Sequence, residues 1–164
     1  MSISLTIRTI DDVQFFAQQI AHCLLTYNIR YFLCSGEYGV GKTTLIRYIV
    51  STLPSCVDVE ISSPSFTTYN IYPTEPPCIH IDLYNTPRSL FDIMEEIEEN
   101  DTSLVLVEWA EYSRSLPDES FLSCIISYTP DTTRTIRCSS HALENTVLYN
   151  IQKEYESYVN NETR

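Results

Sequence analysis

"SGEYGVGKTTLIRYIV", residues 35–50, holds all three glycines of a 164-residue chain: Gly36, Gly39 and Gly41. Residues 36–43, "GEYGVGKT", satisfy G-x-x-x-x-G-K-[ST], the pattern of a phosphate-binding loop. Main chain that wraps a polyphosphate must point successive N–H groups inward at a helix N-terminus, and side chains would block that approach. Some of the backbone angles also favour a residue without Cβ. The context argues against a chance match in a glycine-bearing turn. Ahead of the loop, "IRYFLCS" reads as a buried strand; after it, a helix is predicted from Lys42 to about Leu53, ended by Pro54. In such a loop Lys42 is expected to reach the β- and γ-phosphates, and the Thr43 hydroxyl to ligate Mg²⁺.

Outward from the loop, the chain alternates strands and helices. "ISLTIRT" reads as a strand, and "DDVQFFAQQIAHCLL" as a helix with Val13, Phe16, Ala17, Ile20, Ala21 and Leu24 on one face and Asp11 and Asp12 in its first turn. "SCVDVEI" and "TTYNIY" are short strand candidates with the polar loop "SSPSF" between them, and "CIHIDLY" is another. In "NTPRSLFDIMEEIEEN" Thr86 is the expected N-cap and Pro87 the first helical residue, with Leu90, Ile93, Met94 and Ile97 on the apolar face. The opposite face carries Asp92, Glu95, Glu96, Glu98 and Glu99, read as a solvated surface rather than a docking site. "SLVLVEW" is unbroken apolar chain ending in a carboxylate, the pattern of a strand covered on both sides. "FLSCIISYT" and "TRTIRCSS" form an expected antiparallel pair, and Leu143, Val147, Ile151 and Tyr155 fit a closing helix. The expected fold is α/β: a single P-loop domain over residues 1–164, with a mostly parallel central sheet flanked by helices and an antiparallel C-terminal strand pair.

A P-loop site needs a further carboxylate near the metal, and two strand ends offer one: Asp82 closes "CIHID" and Glu108 closes "LVLVE". Ligands of open α/β sheets sit beyond the carboxyl ends of strands, so either acid is placed to face the phosphates. Asp82 resembles a Walker B aspartate. Glu108 is a candidate to ligate the metal or orient the attacking water, and which of the two touches the metal stays open. His80 reads as a core residue rather than a catalyst. Trp109, the single tryptophan, reads either as packing or as a neighbour of the nucleotide. With no N-K-x-D element, a guanine-specific G protein is disfavoured and ATP is the default.

The formal charge is −12, from 22 acidic and 10 basic residues. Nucleic-acid affinity comes largely from Lys and Arg on phosphates, so direct binding of RNA or DNA is not expected. Six scattered cysteines show no C-x-x-C pair or zinc-ligand spacing and read as reduced core thiols. The N-terminus lacks the apolar core of a signal peptide, and no run reaches membrane-spanning length. A cytoplasmic protein is expected.

Four blocks in order, "SGEYGVGKTTLIR", "SPSFTTYNIY", "HIDLY" and "LVEW", resemble the TsaE family, formerly called YjeE. These are small bacterial P-loop ATPases required for making threonylcarbamoyladenosine (t6A) in tRNA. The resemblance spans Gly36 to Trp109 and implies a role for each matching position. Glu37, Tyr38, Gly39, Val40, Gly41, Lys42, Thr43 and Thr44 would wrap the phosphates. Ser63, Pro64, Ser65, Phe66 and Thr67 would form a nucleotide-responsive switch. Asp82 would match the family's essential aspartate, Glu108 its metal-site glutamate, and Trp109 a tryptophan near the nucleotide. Thr9 and Arg137 fall where members flank the nucleotide. The implied partners are TsaD-like and TsaB-like proteins, the ATPase resetting their complex between turnovers. Ser65, Asn85, Ala110 and Tyr38 stand where the family commonly has Thr, Arg, Pro and Leu; none of these changes removes a phosphate or metal ligand.

The expected activity is Mg²⁺-dependent ATP hydrolysis, with Lys42, Asp82 and Glu108 as the catalytic set. It should be slow without partners, because no arginine finger is assignable. Two rivals remain: a small-molecule P-loop kinase, which needs an arginine-rich lid the sequence does not offer, and a non-catalytic nucleotide-gated assembly module.

Overall fold

The computed structural model describes residues 2–56, 60–64, 67–97, 102–131 and 133–162. Its strands are β1 (Ser2–Ile7), β2 (Tyr31–Gly36), β3 (Tyr69–Tyr72), β4 (Cys78–Asp82), β5 (Leu104–Glu108), β6 (Phe121–Tyr128) and β7 (Arg134–His141). Its helices are α1 (Ile10–Thr26), α2 (Lys42–Thr52), α3 (Leu90–Ile97) and α4 (Asn145–Glu162). The strands form one sheet in the order β1-β7-β6-β2-β5-β4-β3. The centre, β6-β2-β5-β4, is parallel, whereas β1-β7, β7-β6 and β4-β3 are antiparallel. The sheet is therefore mixed, parallel at its middle and antiparallel toward both edges.

The apolar runs explain this layering. Every residue of β4 and β5 is buried, because helices cover both faces of the sheet. In β2, Phe32 and Cys34 face a core built with Phe16 and Ile20 of α1, Leu45 and Ile49 of α2, and Leu148 and Ile151 of α4. Tyr31 and Leu33 face the other core, where Ile79, Ile81, Val105 and Val107 meet Leu90 and Ile93 of α3. Strand β2 lies between β5 and β6, both laid down later in the chain. The chain thus changes direction across the sheet beside β2, and its carboxyl end opens into the crevice where such sheets bind ligands.

Two expectations need adjusting. Helix α3 begins at Leu90, not Pro87; the Ser89 carbonyl accepts its first bond, from the Ile93 N–H at 3.3 Å. The preceding residues are held instead against the segment after β5, where the Arg114 N–H reaches the Arg88 carbonyl and Ser89 bonds Ser115. Thr86 is therefore not the cap. In "SCVDVEI", residues 55–56 lie in a turn and 60–61 are irregular, while 57–59 are outside the described residues. Glu98 and Glu99 of the acidic face, and Ser65 and Phe66 of the switch, also fall outside them. No helix among the described residues is long and apolar enough to cross a membrane.

Candidate functional site

The glycine loop leaves β2 and enters α2 through three left-handed turns of the backbone: φ is 139° at Gly36, 74° at Gly39 and 111° at Gly41. Gly36 is fixed doubly, since a Cβ there would lie 2.3 Å from the Ile126 carbonyl oxygen on β6. Gly41 is the N-cap of α2 and offers no side-chain cap, so the first N–H groups of the helix face the loop's concave side with only main chain before them.

Three strand ends converge beside this loop. Register places Cys34 opposite Glu108, and Glu108 opposite Asp82, so β5 and β4 stop at one level while β2 runs two residues further, to Gly36, paired with β6. A cavity of about 320 Å³ opens there, lined among others by Gly39, Lys42, Thr43, Asp82, Glu108 and Trp109. The Thr43 hydroxyl donates to Glu108 Oε2 at 2.7 Å, and Glu108 Oε1 lies 2.8 Å from His80 Nε2. Asp82 accepts from the Ser63 hydroxyl at 2.8 Å and from the Tyr84 N–H at 2.9 Å. Lys42, only 4% exposed, donates to the Gly36 and Glu37 carbonyls at 2.7 and 2.8 Å, with Nζ 3.3 Å from the Trp109 ring centre. Burial pushes the Lys42 ammonium below its ordinary value, and Cys34, Glu108, Glu111 and Asp82 oppose that shift. A polyphosphate at this place would meet a cation whose charge has been stripped of water, where attraction is strongest.

A second cavity, of about 200 Å³, lies on the other side of the loop, where Thr9, Val40, Gly41, Thr44 and Arg134 come together. Thr9 caps α1: its hydroxyl accepts from the Asp12 N–H at 3.1 Å, while Asp12 accepts from the Thr9 N–H at 3.0 Å. Val40 is fully buried and its carbonyl accepts from Arg134 Nε at 2.8 Å. Glu37 and Tyr38 stand at the exposed rim, Tyr38 being 78% exposed.

The structure thus gathers Thr9, the loop from Gly36 to Thr44, Asp82, Glu108 and Trp109 around two adjoining cavities. It does not bring Arg137 there. Arg137 is exposed on the face of β7 opposite Ile136, and lines neither cavity. Arg134 lines the smaller cavity instead, because side chains alternate along a strand and Arg134 shares the face of Ile136. Sequence reading also missed His80 as the partner of Glu108, Ser63 and Tyr84 as holders of Asp82, and Glu111, whose carboxylate accepts from the Gly36 N–H at 3.3 Å.

The profile of the family described as "Threonylcarbamoyl adenosine biosynthesis protein TsaE" matches residues 7–136. The chain belongs to the TsaE family. Similar proteins include the tRNA threonylcarbamoyladenosine biosynthesis proteins TsaE of Aquifex aeolicus and Streptomyces coelicolor, each 35% identical. The alignments take in 62% of this chain and 71% of the Aquifex protein, and 48% of this chain and 55% of the Streptomyces protein. The crystal structure of Bacillus subtilis YdiB superposes with a TM-score of 0.68 over 96% of both chains at 19% identity, which speaks for the fold alone. TsaE membership and the loop geometry together support a nucleotide-binding role for the chain.

The donor set fits a magnesium nucleotide. Among the described residues no group of three or more His, Cys, Asp or Glu forms a metal cage. Mg²⁺ at a phosphate site takes one or two protein oxygens and fills its octahedron with phosphate and water. A hydroxyl bonded to a buried carboxylate at the mouth of an amide-lined loop is that kind of partial set.

Proposed function

We propose that residues 1–164 form one P-loop ATPase domain that binds ATP with Mg²⁺, hydrolyses it, and so supports t6A formation in tRNA. The observation that carries this reading is the Thr43–Glu108 bond of 2.7 Å beside Lys42 at the end of the glycine loop. The triphosphate would lie along the 320 Å³ cavity and the adenosine toward the 200 Å³ one, with the loop between them.

Each residue then has a task. Loop amides and Lys42 neutralise the phosphate oxygens, and a site that holds them fixed before reaction adds most to the rate. Thr43 and Glu108 are placed to hold a divalent metal, with Asp82 at the next strand end, and a metal held there would supply positive charge against the phosphates. Asp82 also ties Ser63 to the site, a mechanical link from the segment before β3 to the phosphates. The named function of the Aquifex and Streptomyces relatives supports a place in t6A synthesis. We propose that the chain acts there through TsaD-like and TsaB-like partners in the cytoplasm, without itself gripping the tRNA; a net charge of −12 favours protein contacts over nucleic-acid ones.

Calorimetric titration and phosphate release test this. Wild-type protein should bind MgATP and release phosphate slowly with no acceptor present. Lys42→Ala should weaken binding by about 2–3 kcal/mol, roughly 30- to 150-fold in Kd. Unchanged binding and turnover in that variant would refute the site. Should Glu108→Gln stop hydrolysis yet leave t6A formation intact, nucleotide binding alone is the working event.

A further inference from the structure

His80 is fully buried in the middle of β4, and its Nε2 lies 2.8 Å from Glu108 Oε1. The other ring nitrogen, Nδ1, is buried without a hydrogen-bond partner among the described residues. A proton on Nδ1 would strand a donor away from water, whereas a bare Nδ1 leaves only an unused acceptor. With these surroundings the imidazole carries its proton on Nε2, which donates to Glu108. The two residues are diagonal neighbours on paired strands, since His80 stands opposite Leu106 and Asp82 opposite Glu108.

Glu108 itself is 2% exposed, so water does little to hold it, and its two oxygens are divided between two donors. Thr43 takes Oε2 and His80 takes Oε1. A carboxylate bonded through one oxygen only can rotate about its terminal torsion, which is broad. Bonded through both, it is fixed in plane. We propose that His80 is a positioning residue: it clamps Glu108 so that Oε2 stays aimed at Thr43, where magnesium would be met. This proposal rests on the nucleotide reading above. An imidazole suits the task because, as a neutral donor, it orients the carboxylate without cancelling the charge the metal needs. Both groups sit on interior strands of the sheet, so their backbones are held firmly enough for the clamp to act.

The test compares ATP binding with Mg²⁺ and with EDTA in wild type, His80→Phe and His80→Gln. The Gln side chain puts an amide N–H close to the Nε2 position and can make the same bond. In His80→Phe the gain in ATP affinity on adding Mg²⁺ should fall by about 10- to 100-fold, the usual loss when an outer partner of a ligand is removed. Metal-free binding should be unchanged, and His80→Gln should recover most of the gain. A merely structural role would lower both kinds of binding, or leave Gln as poor as Phe, and either result overturns the proposal. If the variants do not fold, nitrogen NMR of the wild-type imidazole decides instead: a proton on Nδ1 overturns the clamp, and one on Nε2 supports it. Wild-type protein that binds ATP in neither condition overturns the nucleotide reading itself, a failure distinct from both.

Discussion

Gly36 and Gly39 sit six and three residues ahead of Lys42 and do different work. At Gly36 a methyl group would collide with main chain of β6, 2.3 Å away, as well as demand a φ of 139°. At Gly39 the φ of 74° is strained for other residues, but a Cβ there would meet only the Tyr128 hydroxyl at 3.6 Å. Gly39→Ala should therefore cost about 1–2 kcal/mol, the ordinary penalty of a left-handed residue. Gly36→Ala adds a backbone clash that no rotamer relieves and should cost clearly more, about 3 kcal/mol or above. Urea midpoints measured on both variants check the order. Equal losses would mean that the approach of Gly36 to Ile126 does not govern stability.

Strand alternation decides which residues of an element reach the site. Along β7, Arg134 and Ile136 face the loop side while Arg137 points to solvent. Arg134→Met should lower ATP affinity roughly tenfold, about 1.4 kcal/mol, by freeing the Val40 carbonyl and loosening the loop. Arg137→Met should leave affinity within experimental error in the same titration. The reverse result would restore Arg137 to the nucleotide. That the resemblance singled out Arg137 shows where sequence reading stops. It located the strand "TRTIRCSS" and its pairing with β6, but which face met the loop depended on tertiary contact with α4 and on β1, whose pairing to β7 no local pattern announces. The same holds for His80. Its place on the strand was legible in "CIHID"; its bond to Glu108 required the β4–β5 register, which only the folded sheet supplies. By contrast α1, α2 and β5 were legible because each carries its own period and stop signal. Helix α3 was placed three residues early because a Thr-Pro start signal competes there with contacts to residues 114–115.

At the scale of the whole molecule, an acidic protein gathers three carboxylates, Asp82, Glu108 and Glu111, around the place proposed for a polyanion. Amides, one desolvated lysine and a divalent cation must outweigh them. The cysteines belong to the frame rather than to this chemistry. Cys34, Cys124 and Cys138 stand opposite one another on β2, β6 and β7 in the core, and all six are free. Burial pushes the Cys23 thiol up to about 11, and those of Cys34 and Cys124 well above their ordinary value. Only Cys56 is partly exposed, so a thiol reagent at neutral pH should modify at most that one rapidly in native protein. All six should react after unfolding in guanidinium. Several fast thiols in the native state would contradict the packing described for the sheet.

The level ending of β5 and β4 has an implication for how the family can change. Glu108 and Asp82 point to the same crevice only because each lies an even number of steps from the apolar neighbours that anchor it. One residue added to either strand would turn its acid toward α3, while two would leave the direction intact. Length variation in this corner of the fold is thus governed by parity, and an odd indel there should disarm the protein even with every acidic side chain still present.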